Sequence, residues 1–220
     1  MPARVRGAVE EGRFPLVLAG DCNSALGALS GIGPDGVGVI WFDAHGDYNT
    51  PETSLSGWFE GMPLAVATGR CHHDLWRGLG NTDHVREAHT LLVGVRDLDP
   101  PERDLLDGSD VTVIEADKLR GGKLAEGLAP ALARLRERVG AIYLHLDMDA
   151  VDPADAPGVG LPTPGGLSRG EMLEAIRLIG EQFAIRAAAL TTFNPDQDAD
   201  NRTLETGLAM MEEVVKALST

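Results

Sequence analysis

Two short stretches of the sequence place acidic side chains at the same close spacing. The first reads Asp43-Ala-His45-Gly-Asp47 after the apolar run GVGVIWF, and the second reads Asp147-Met-Asp149 after the apolar run AIYLHL. In an extended strand, residues two apart project to the same side, so the members of each stretch converge. Charge at the end of a buried strand is costly unless something compensates it. Both stretches therefore predict a site that binds a cation.

Metal ions are the cations that best compensate the negative charge of these side chains. If the two strands are neighbours, five ligand-type side chains, four of them carboxylates, face one crevice. One divalent ion would leave net negative charge there, whereas two ions bridged by shared aspartates balance it. Oxygen and imidazole ligands suit Mn²⁺, Mg²⁺ or Fe²⁺, and a pair of ions about 3.5–4 Å apart activates water for hydrolysis. The alternative is that the acids are separate caps or solvated loop groups.

The elements that must position these residues are short apolar runs that alternate with helical patterns. Most of the runs are continuously apolar, as buried parallel strands are. Predicted strands cover 14–20, 36–44, 90–97, 111–116, 141–149 and 187–195. Predicted helices cover about 3–12, 23–30, 62–69, 101–106, 123–138, 168–182 and 203–218.

This alternation predicts an α/β fold of three layers, with a parallel sheet between two layers of helices. The loops at the carboxyl ends of such strands form the ligand crevice, and the acidic stretches fall there. Ser168 followed by Glu171 is typical of a capping box, and Asn201 to Thr203 are expected to cap the last helix. Residues 156–166, APGVGLPTPGG, are expected to form a loop.

Composition and charge narrow the class of protein. With 220 residues, 43% of them hydrophobic, the chain suits one domain over 1–220. It has no apolar run of about 18 residues that could span a membrane, and its N-terminus lacks the apolar region of a secretory signal. Two cysteines, Cys22 and Cys71, favour a reducing cytoplasm. The formal net charge of −15 argues against nucleic acid or an anionic membrane as partner and is compatible with a cationic small substrate.

The acidic stretches also resemble the metal motifs of a known family. DAHGDYNTP (43–51) and LDMDAVDP (146–153) look like the two aspartate motifs of the ureohydrolases, the family of arginases and agmatinases. AGDCN (19–23) resembles a third motif of that family, with Cys22 in the position of a histidine. GLPTPGGLS (160–168) matches a family loop.

The resemblance implies an arginase/deacetylase-like fold and two divalent ions, with Mn²⁺ favoured. The six side chains that would hold them are the bridging Asp43 and Asp147, Asp47 and Cys22 at one ion, and His45 and Asp149 at the other. A thiolate at Cys22 is softer than imidazole and shifts its site toward ions such as Zn²⁺. The alternative is that Cys22 stays a neutral thiol that does not coordinate.

The beginning of the chain departs from the resemblance. Members of the family usually carry an earlier strand and a glycine-rich loop, whereas this chain opens in the helix that precedes the first motif. The expectation is either a start codon placed too late or a fold that lacks the family's first strand. A missing edge strand would affect stability and the contacts of a homo-oligomer.

The resemblance further implies how a substrate is held. Asn49 and Ser56 stand where neutral donors bind the α-carboxylate of an arginine-like substrate. Asp99, with Glu102 nearby, stands where the α-amino group is bound. Both sets together indicate an α-amino acid rather than a decarboxylated amine. The alternatives are turn chemistry beside Pro51 for the first pair and a strand-end cap for Asp99.

Three positions depart from the arginase pattern. Glu60 occupies the position of a proton-shuttling histidine, Thr192 replaces a glutamate that would pair with the guanidinium, and Leu161 stands where a small hydroxyl residue is usual. Loss of a buried carboxylate partner for a fixed cation costs about 3–5 kcal/mol. The binding of a less basic or N-modified guanidine would be weakened less by this loss. Asp47 and Glu60 are the candidate general acids for the leaving amine.

Two further histidine-containing segments are weaker candidates. The run CHHD at 71–74 has ligand-type residues but is more typical of a helix start or loop. His145 shares one side of its strand with Asp147 and Asp149. It is either a core histidine or a support for the site from behind the ligands.

The sequence therefore predicts a metal-dependent amidinohydrolase that acts on linear amidines. Its substrate would be an arginine-like or N-modified guanidino compound, and its product urea or a urea derivative. One alternative in the same fold is hydrolysis of another C–N bond, as in formiminoglutamate. Another is a catalytically inactive metal-binding or interaction protein, which Cys22 and Thr192 favour.

Overall fold

The six apolar runs all form strands, and the strands make one parallel sheet. The computed structural model describes residues 1–218 of the chain. Within this range the spatial order of the strands is β1-β6-β5-β2-β3-β4. The strands are β1 (Leu16–Leu18), β2 (Val37–Phe42), β3 (Thr90–Val95), β4 (Thr112–Glu115), β5 (Ala141–Asp147) and β6 (Ala184–Thr191).

Helices connect successive strands, and all seven predicted helices are present. The α-helices are α1 (Pro2–Glu10), α2 (Ser24–Ile32), α3 (Pro63–Thr68), α4 (His73–Gly78), α5 (Pro100–Asp107), α6 (Leu124–Arg136), α7 (Arg169–Gly180) and α8 (Arg202–Ala217). The additional helix, α4, begins inside the CHHD run, which confirms that run as a helix start. With six residues, α4 is too short to produce a recognisable apolar period.

The central strands β2, β3 and β5 are almost entirely buried because the sheet is covered on both faces. In β2, Ile40 and Phe42 pack into a core that includes side chains of α6, α7 and α8. Val39 and Trp41 point the opposite way, into a core with side chains of α2 and α3. The three predicted layers are confirmed. No helix within residues 1–218 is long and apolar enough to cross a membrane.

The order of the strands creates a crevice between β2 and β5. From β2 the chain continues to β3 and β4 on one side, whereas β5 and β6 lie on the other. Such a reversal is where parallel α/β sheets bind ligands. Phe42 pairs with Leu146, so the acidic residues that follow them leave the sheet at the same level.

The predicted caps are confirmed for α7 and wrong for α8. Ser168 and Glu171 form a reciprocal capping box at the start of α7. At α8, Asn201 has a left-handed backbone (φ 60°) and its side chain makes no capping bond. The carboxylate of Asp198 instead accepts hydrogen bonds from the backbone N–H groups of Thr203 and Leu204, at 2.9 and 2.8 Å.

Candidate metal centre

Each acidic stretch folds back on its first aspartate as the strand ends. Asp43 Oδ1 accepts a hydrogen bond from the backbone N–H of His45 at 2.7 Å, and Asp147 Oδ1 accepts one from the N–H of Asp149 at 2.8 Å. The two stretches are also joined, because the N–H of Ala44 donates to Asp149 Oδ1 at 3.1 Å. These bonds fix the first carboxylate of each stretch, and the second oxygen of each lies near Cys22 Sγ.

All of the predicted site residues border one cavity at the carboxyl ends of the strands. The cavity has a volume of about 640 Å³. The predicted residues that line it are Cys22, Asp43, His45, Asp47, Asn49, Ser56, Glu60, Asp99, Glu102, Asp147, Asp149 and Thr192. The fold therefore brings together residues from five separate parts of the sequence.

One group of potential ligand atoms surrounds Cys22. The donor atoms of Cys22, Asp43, His145 and Asp147 all lie within 4.8 Å of one another, and all four side chains are buried. Cys22 Sγ lies 2.8 Å from Asp147 Oδ2 and 3.9 Å from Asp43 Oδ2. This group contains sulfur, nitrogen and oxygen donors.

A second group is centred on His45. Its Nδ1 lies 3.3 Å from Asp43 Oδ1 and 3.2 Å from Asp149 Oδ2. Asp43 thus belongs to both groups, which is the arrangement expected of a carboxylate that bridges two ions. Asp147, the other predicted bridge, belongs to the first group alone.

Asp47 lies beside these groups and has an unusual environment. Its backbone is left-handed (φ 49°), and its carbonyl accepts hydrogen bonds from the N–H groups of Leu64 and Ala65 at the start of α3. The side chain is buried, and its Oδ2 has no hydrogen-bond partner among the described residues. Burial raises the pKa of this carboxyl well above its usual range, and the charges of Asp43 and Asp147 raise it further. A buried carboxylate oxygen without a partner fits a cation.

The pKa values of the neighbouring groups also indicate that this part of the cavity favours positive charge. Burial and the charge of Asp149 raise the pKa of Asp43 to about 6. Burial opposes protonation of His45, but its bonds to Asp149 and Asp43 outweigh this and raise its pKa to about 12. The same bonds hold the pKa of Asp149 below its usual value despite burial. In the protein alone, a proton on His45 therefore supplies charge that a metal ion would supply.

Cys22 is buried at the inner end of the cavity. Burial raises the pKa of its thiol well above the usual value, and the neighbouring Asp147, Asp47 and Asp43 raise it further. The thiolate would therefore form only with a cation beside it, as happens when a metal binds a cysteine. The donor atoms around Cys22 and His45 fit two divalent ions.

The predicted substrate residues surround the outer part of the cavity. Asn49 Nδ2 donates to Asp99 Oδ2 at 3.2 Å, so these two side chains act as a unit. Glu102 is buried and accepts a hydrogen bond from the N–H of Tyr48 at 2.9 Å, while burial raises its pKa to about 7. Ser56 is exposed, and its hydroxyl accepts from the N–H of Trp58.

A family model described as the arginase family matches residues 1–216. An arginase from Bacillus caldovelox is 40% identical over 216 residues, which cover 96% of this chain and 71% of that protein. An arginase from Bacillus subtilis (strain 168) is 38% identical over 217 residues, which cover 96% of this chain and 72% of that protein. The chain belongs to the arginase family. It is thus a metal-dependent amidinohydrolase, which acts on C–N bonds other than peptide bonds.

Solved structures agree with this assignment of fold and family. The Bacillus caldovelox arginase has a TM-score of 0.91 at 38% identity, over 97% of this chain and 72% of that chain. A formimidoylglutamase from Bacillus subtilis has a TM-score of 0.83 at 22% identity, over 99% of this chain and 65% of that chain, and so shares the fold.

The positions that depart from the arginase pattern have identifiable surroundings. The Thr192 hydroxyl donates to Asp147 Oδ1 at the border of the cavity. Glu60 is exposed at the cavity wall, where partial burial and the charges of Asp21 and Asp149 raise its pKa. Leu161 is exposed at the rim.

Two supporting residues were missed by the sequence analysis. Thr191 Oγ1 lies 3.2 Å from Asp147 Oδ2 and 3.4 Å from Cys22 Sγ. Arg96 donates to the carbonyls of Asp149 and Thr163 at 2.6 and 2.7 Å, and so ties the loop at 156–166 to the end of β5. The position of Arg96 directly after an apolar run was the available signal, because a cation there lies among strand-end carbonyls.

Proposed function

We propose that this protein hydrolyses a guanidino compound, either arginine-like or N-modified, at two divalent metal ions and releases urea or a urea derivative. The observation that carries the proposal is the position of Asp43. Its carboxylate belongs to both ligand groups at the inner end of a cavity that also holds the predicted substrate residues. Membership of the arginase family supports the same conclusion.

The metal ligands would be divided between two sites. Cys22 and Asp147 would hold one ion, His45 and Asp149 the other, and Asp43 both. Asp47, also predicted as a ligand of the first ion, belongs to neither group of donor atoms but would lie beside that ion. Such ions lower the pKa of water and neutralise the negative charge that develops during hydrolysis. Mn²⁺ suits the site with His45, because its donors are oxygen and imidazole nitrogen.

The outer cavity would bind the amino-acid end of the substrate. The Asp99 carboxylate carries a negative charge that complements an α-amino group, and Asn49 holds it in place through their 3.2 Å hydrogen bond. Ser56 supplies an exposed hydroxyl for the α-carboxylate. An amino acid would thus lie with its cationic side chain directed toward the carboxylates of the inner cavity.

Proton transfer would fall to acids that are not held by other protein groups. Asp47 Oδ2 has no partner among the described residues, and the raised pKa of this carboxyl favours the protonated form that can donate to a leaving amine. Glu60, at the cavity wall, would exchange that proton with solvent. Both residues act by general acid–base catalysis in this scheme.

A second candidate substrate class is a formimino compound. Thr192 offers no negative charge, and its hydroxyl donates to Asp147, so a full guanidinium has no partner at that position. A formimino group is smaller and would need less of this compensation. The related fold of a formimidoylglutamase is compatible with this alternative.

The experiment is a substrate screen on metal-loaded protein. Guanidino and formimino compounds are incubated with the protein and Mn²⁺, and urea, hydroxyurea, formamide and amine products are measured. We expect a guanidino compound to give a urea-type product. Formamide release would favour the second candidate, and absence of every product with metal bound would contradict both.

A variant of Asp147 tests whether activity depends on the metal centre. Asp147→Ala should lose most of the bound metal and all turnover, because Asp147 Oδ2 lies within the first ligand group. Asp117→Asn is the matched control, since it removes an exposed carboxylate that contacts Lys118. Unchanged metal stoichiometry in Asp147→Ala would contradict the two-metal assignment.

A further inference from the structure

A layer of aromatic side chains lies directly beneath the carboxylates. Trp41 of β2 and His145 of β5 are register partners and precede Asp43 and Asp147 by two residues. Their rings stack, with centroids 3.7 Å apart and an angle of 15° between the planes, and both side chains are fully buried. His145 is therefore held in one orientation.

The two ring nitrogens of His145 have different partners. Nδ1 lies 3.1 Å from the Tyr143 hydroxyl, whereas Nε2 lies 3.2 Å from Cys22 Sγ and 3.3 Å from Thr191 Oγ1. A neutral imidazole carries one proton. When that proton is on Nδ1 and is donated to Tyr143, the lone pair of Nε2 points at the ligand group around Cys22. Metal-binding histidines adopt this arrangement, with the outer nitrogen hydrogen-bonded.

We propose that His145 Nε2 binds the same metal ion as Cys22, Asp43 and Asp147. This site would then have one sulfur, one nitrogen and two oxygen donors. The proposal rests on the proposed function for the presence of metal. It adds a ligand from the middle of a strand, where the aspartate motifs give no sign of one.

The spacing of the atoms fits a four-coordinate ion. In a tetrahedral site with a metal–sulfur bond of about 2.3 Å and a metal–nitrogen bond of about 2.0–2.1 Å, sulfur and nitrogen lie about 3.6 Å apart. Cys22 Sγ and His145 Nε2 are 3.2 Å apart. The separations from Sγ to the Asp147 and Asp43 oxygens, 2.8 and 3.9 Å, lie on either side of this value. Small side-chain adjustments would complete the tetrahedron.

The consequence is a pair of unlike metal sites. The site with Cys22 and His145 has the sulfur and nitrogen donors that favour Zn²⁺ or Co²⁺ over Mn²⁺. The site with Asp43, His45 and Asp149 has no sulfur donor among the residues of its group. Zn²⁺ should therefore fill the first site before the second.

X-ray absorption at the zinc edge tests the ligand directly. With two zinc ions bound, the full chain should show one sulfur and two imidazoles, from His145 and His45. In His145→Gln one imidazole should disappear, and zinc affinity, measured against a competing chelator, should fall by at least about 100-fold, more than a hydrogen-bonding partner of a ligand would cost. His89→Gln, which changes a histidine just before the amino end of β3, at the opposite end of the strands from the cavity, is the matched control.

The outcomes separate this proposal from the proposed function. Unchanged imidazole scattering in His145→Gln, with zinc affinity within about twofold of the parent, would overturn the assignment of His145. If that variant does not fold, the parent spectrum decides, since fewer than two imidazoles would overturn the proposal. Urea release without an imidazole from His145 would contradict this proposal alone. Two bound imidazoles without turnover would contradict the proposed function alone.

Discussion

Two carboxyl groups in this cavity, Asp149 and Asp47, have pKa values that are shifted in opposite directions. Asp149 contacts His45, which holds the pKa of its carboxyl below the usual value. Asp47, in the loop after β2, has no hydrogen-bond partner at Oδ2 within residues 1–218, and burial raises its pKa. Identical side chains in one cavity thus differ in how readily they lose a proton.

The pairing of Asn49 with Asp99 leads to a prediction about substrate choice. An α-amino acid substrate should exceed its decarboxylated analogue by at least about tenfold in kcat/KM, about 1.4 kcal/mol. Ser56→Ala should reduce this ratio toward one, because it removes a hydroxyl donor for the α-carboxylate, which the decarboxylated analogue lacks. Asp99→Asn should instead lower the rates on both compounds alike, since both carry the amino group. Steady-state rates on an arginine and agmatine pair measure these values. Equal rates on the pair in the parent protein would refute the role given to Asn49 and Ser56.

The types of the site residues were predictable from the sequence, but their distances were not. The spacing predicted that Asp43, His45 and Asp47 converge, as do Asp147 and Asp149, although the strands end earlier than predicted, at Phe42 and Asp147, and the residues beyond them turn. It could not show that His145 Nε2 lies 3.2 Å from Cys22 Sγ, because that distance depends on the register of β5 and on the loop that carries Cys22. Thr191 was missed for the same reason.

At the scale of elements, the strands were easier to predict than the helix ends. A strand buried on both faces must be continuously apolar, and most of the six runs satisfied this, whereas the edge strands β1 and β4 are only partly buried. Helix ends depend on single hydrogen bonds, which several nearby polar residues can provide. The N-terminus of α8 is the example, since Asp198, Asn201 and Thr203 were all chemically suitable. The structure assigns the capping bonds to Asp198.

The cap of α8 gives a prediction about stability. Asp198→Ala should destabilise the protein by about 1 kcal/mol, because the N–H groups of Thr203 and Leu204 lose their acceptor. For a chain of this size the Tm should fall by about 2–4 °C. Asn201→Gly is the control: glycine accepts the positive φ, and no capping bond is lost. A larger fall in Tm for Asn201→Gly than for Asp198→Ala would show that the cap has been misassigned.

At the scale of the whole molecule, a part of the acidic charge lies where it is least tolerated. Six aspartates and two glutamates border a single cavity, with His45 in contact with Asp43 and Asp149. The fold can hold this arrangement because the sheet and its two helical layers fix the strand ends. Metal ions would then stabilise the folded state by the free energy of their binding.

The final prediction is that metal removal changes how stability depends on pH. The folded-state pKa values of Asp43 and Glu102, about 6 and about 7, lie above their ordinary values of 3.8 and 4.5. Stability from the protonated forms is complete below the ordinary values and is lost as pH rises through the folded-state values. The pKa of His45 is raised from 6.5 to about 12, so its contribution to stability begins to be lost only above about pH 6.5 and acts in the same direction. Metal-free protein should therefore lose stability between about pH 4 and pH 7.

Thermal unfolding of chelator-treated and metal-loaded protein across this pH range makes the comparison. The two Tm curves should separate as pH rises, because bound ions favour ionised Asp43 whereas Glu102, which belongs to neither ligand group, titrates in both forms. Glu102→Gln should remove a common part of the slope from both curves and leave their separation unchanged. Parallel curves for metal-free and metal-loaded protein would mean that the buried aspartates do not hold the ions. The compensation of their charge would then have to come from protons alone.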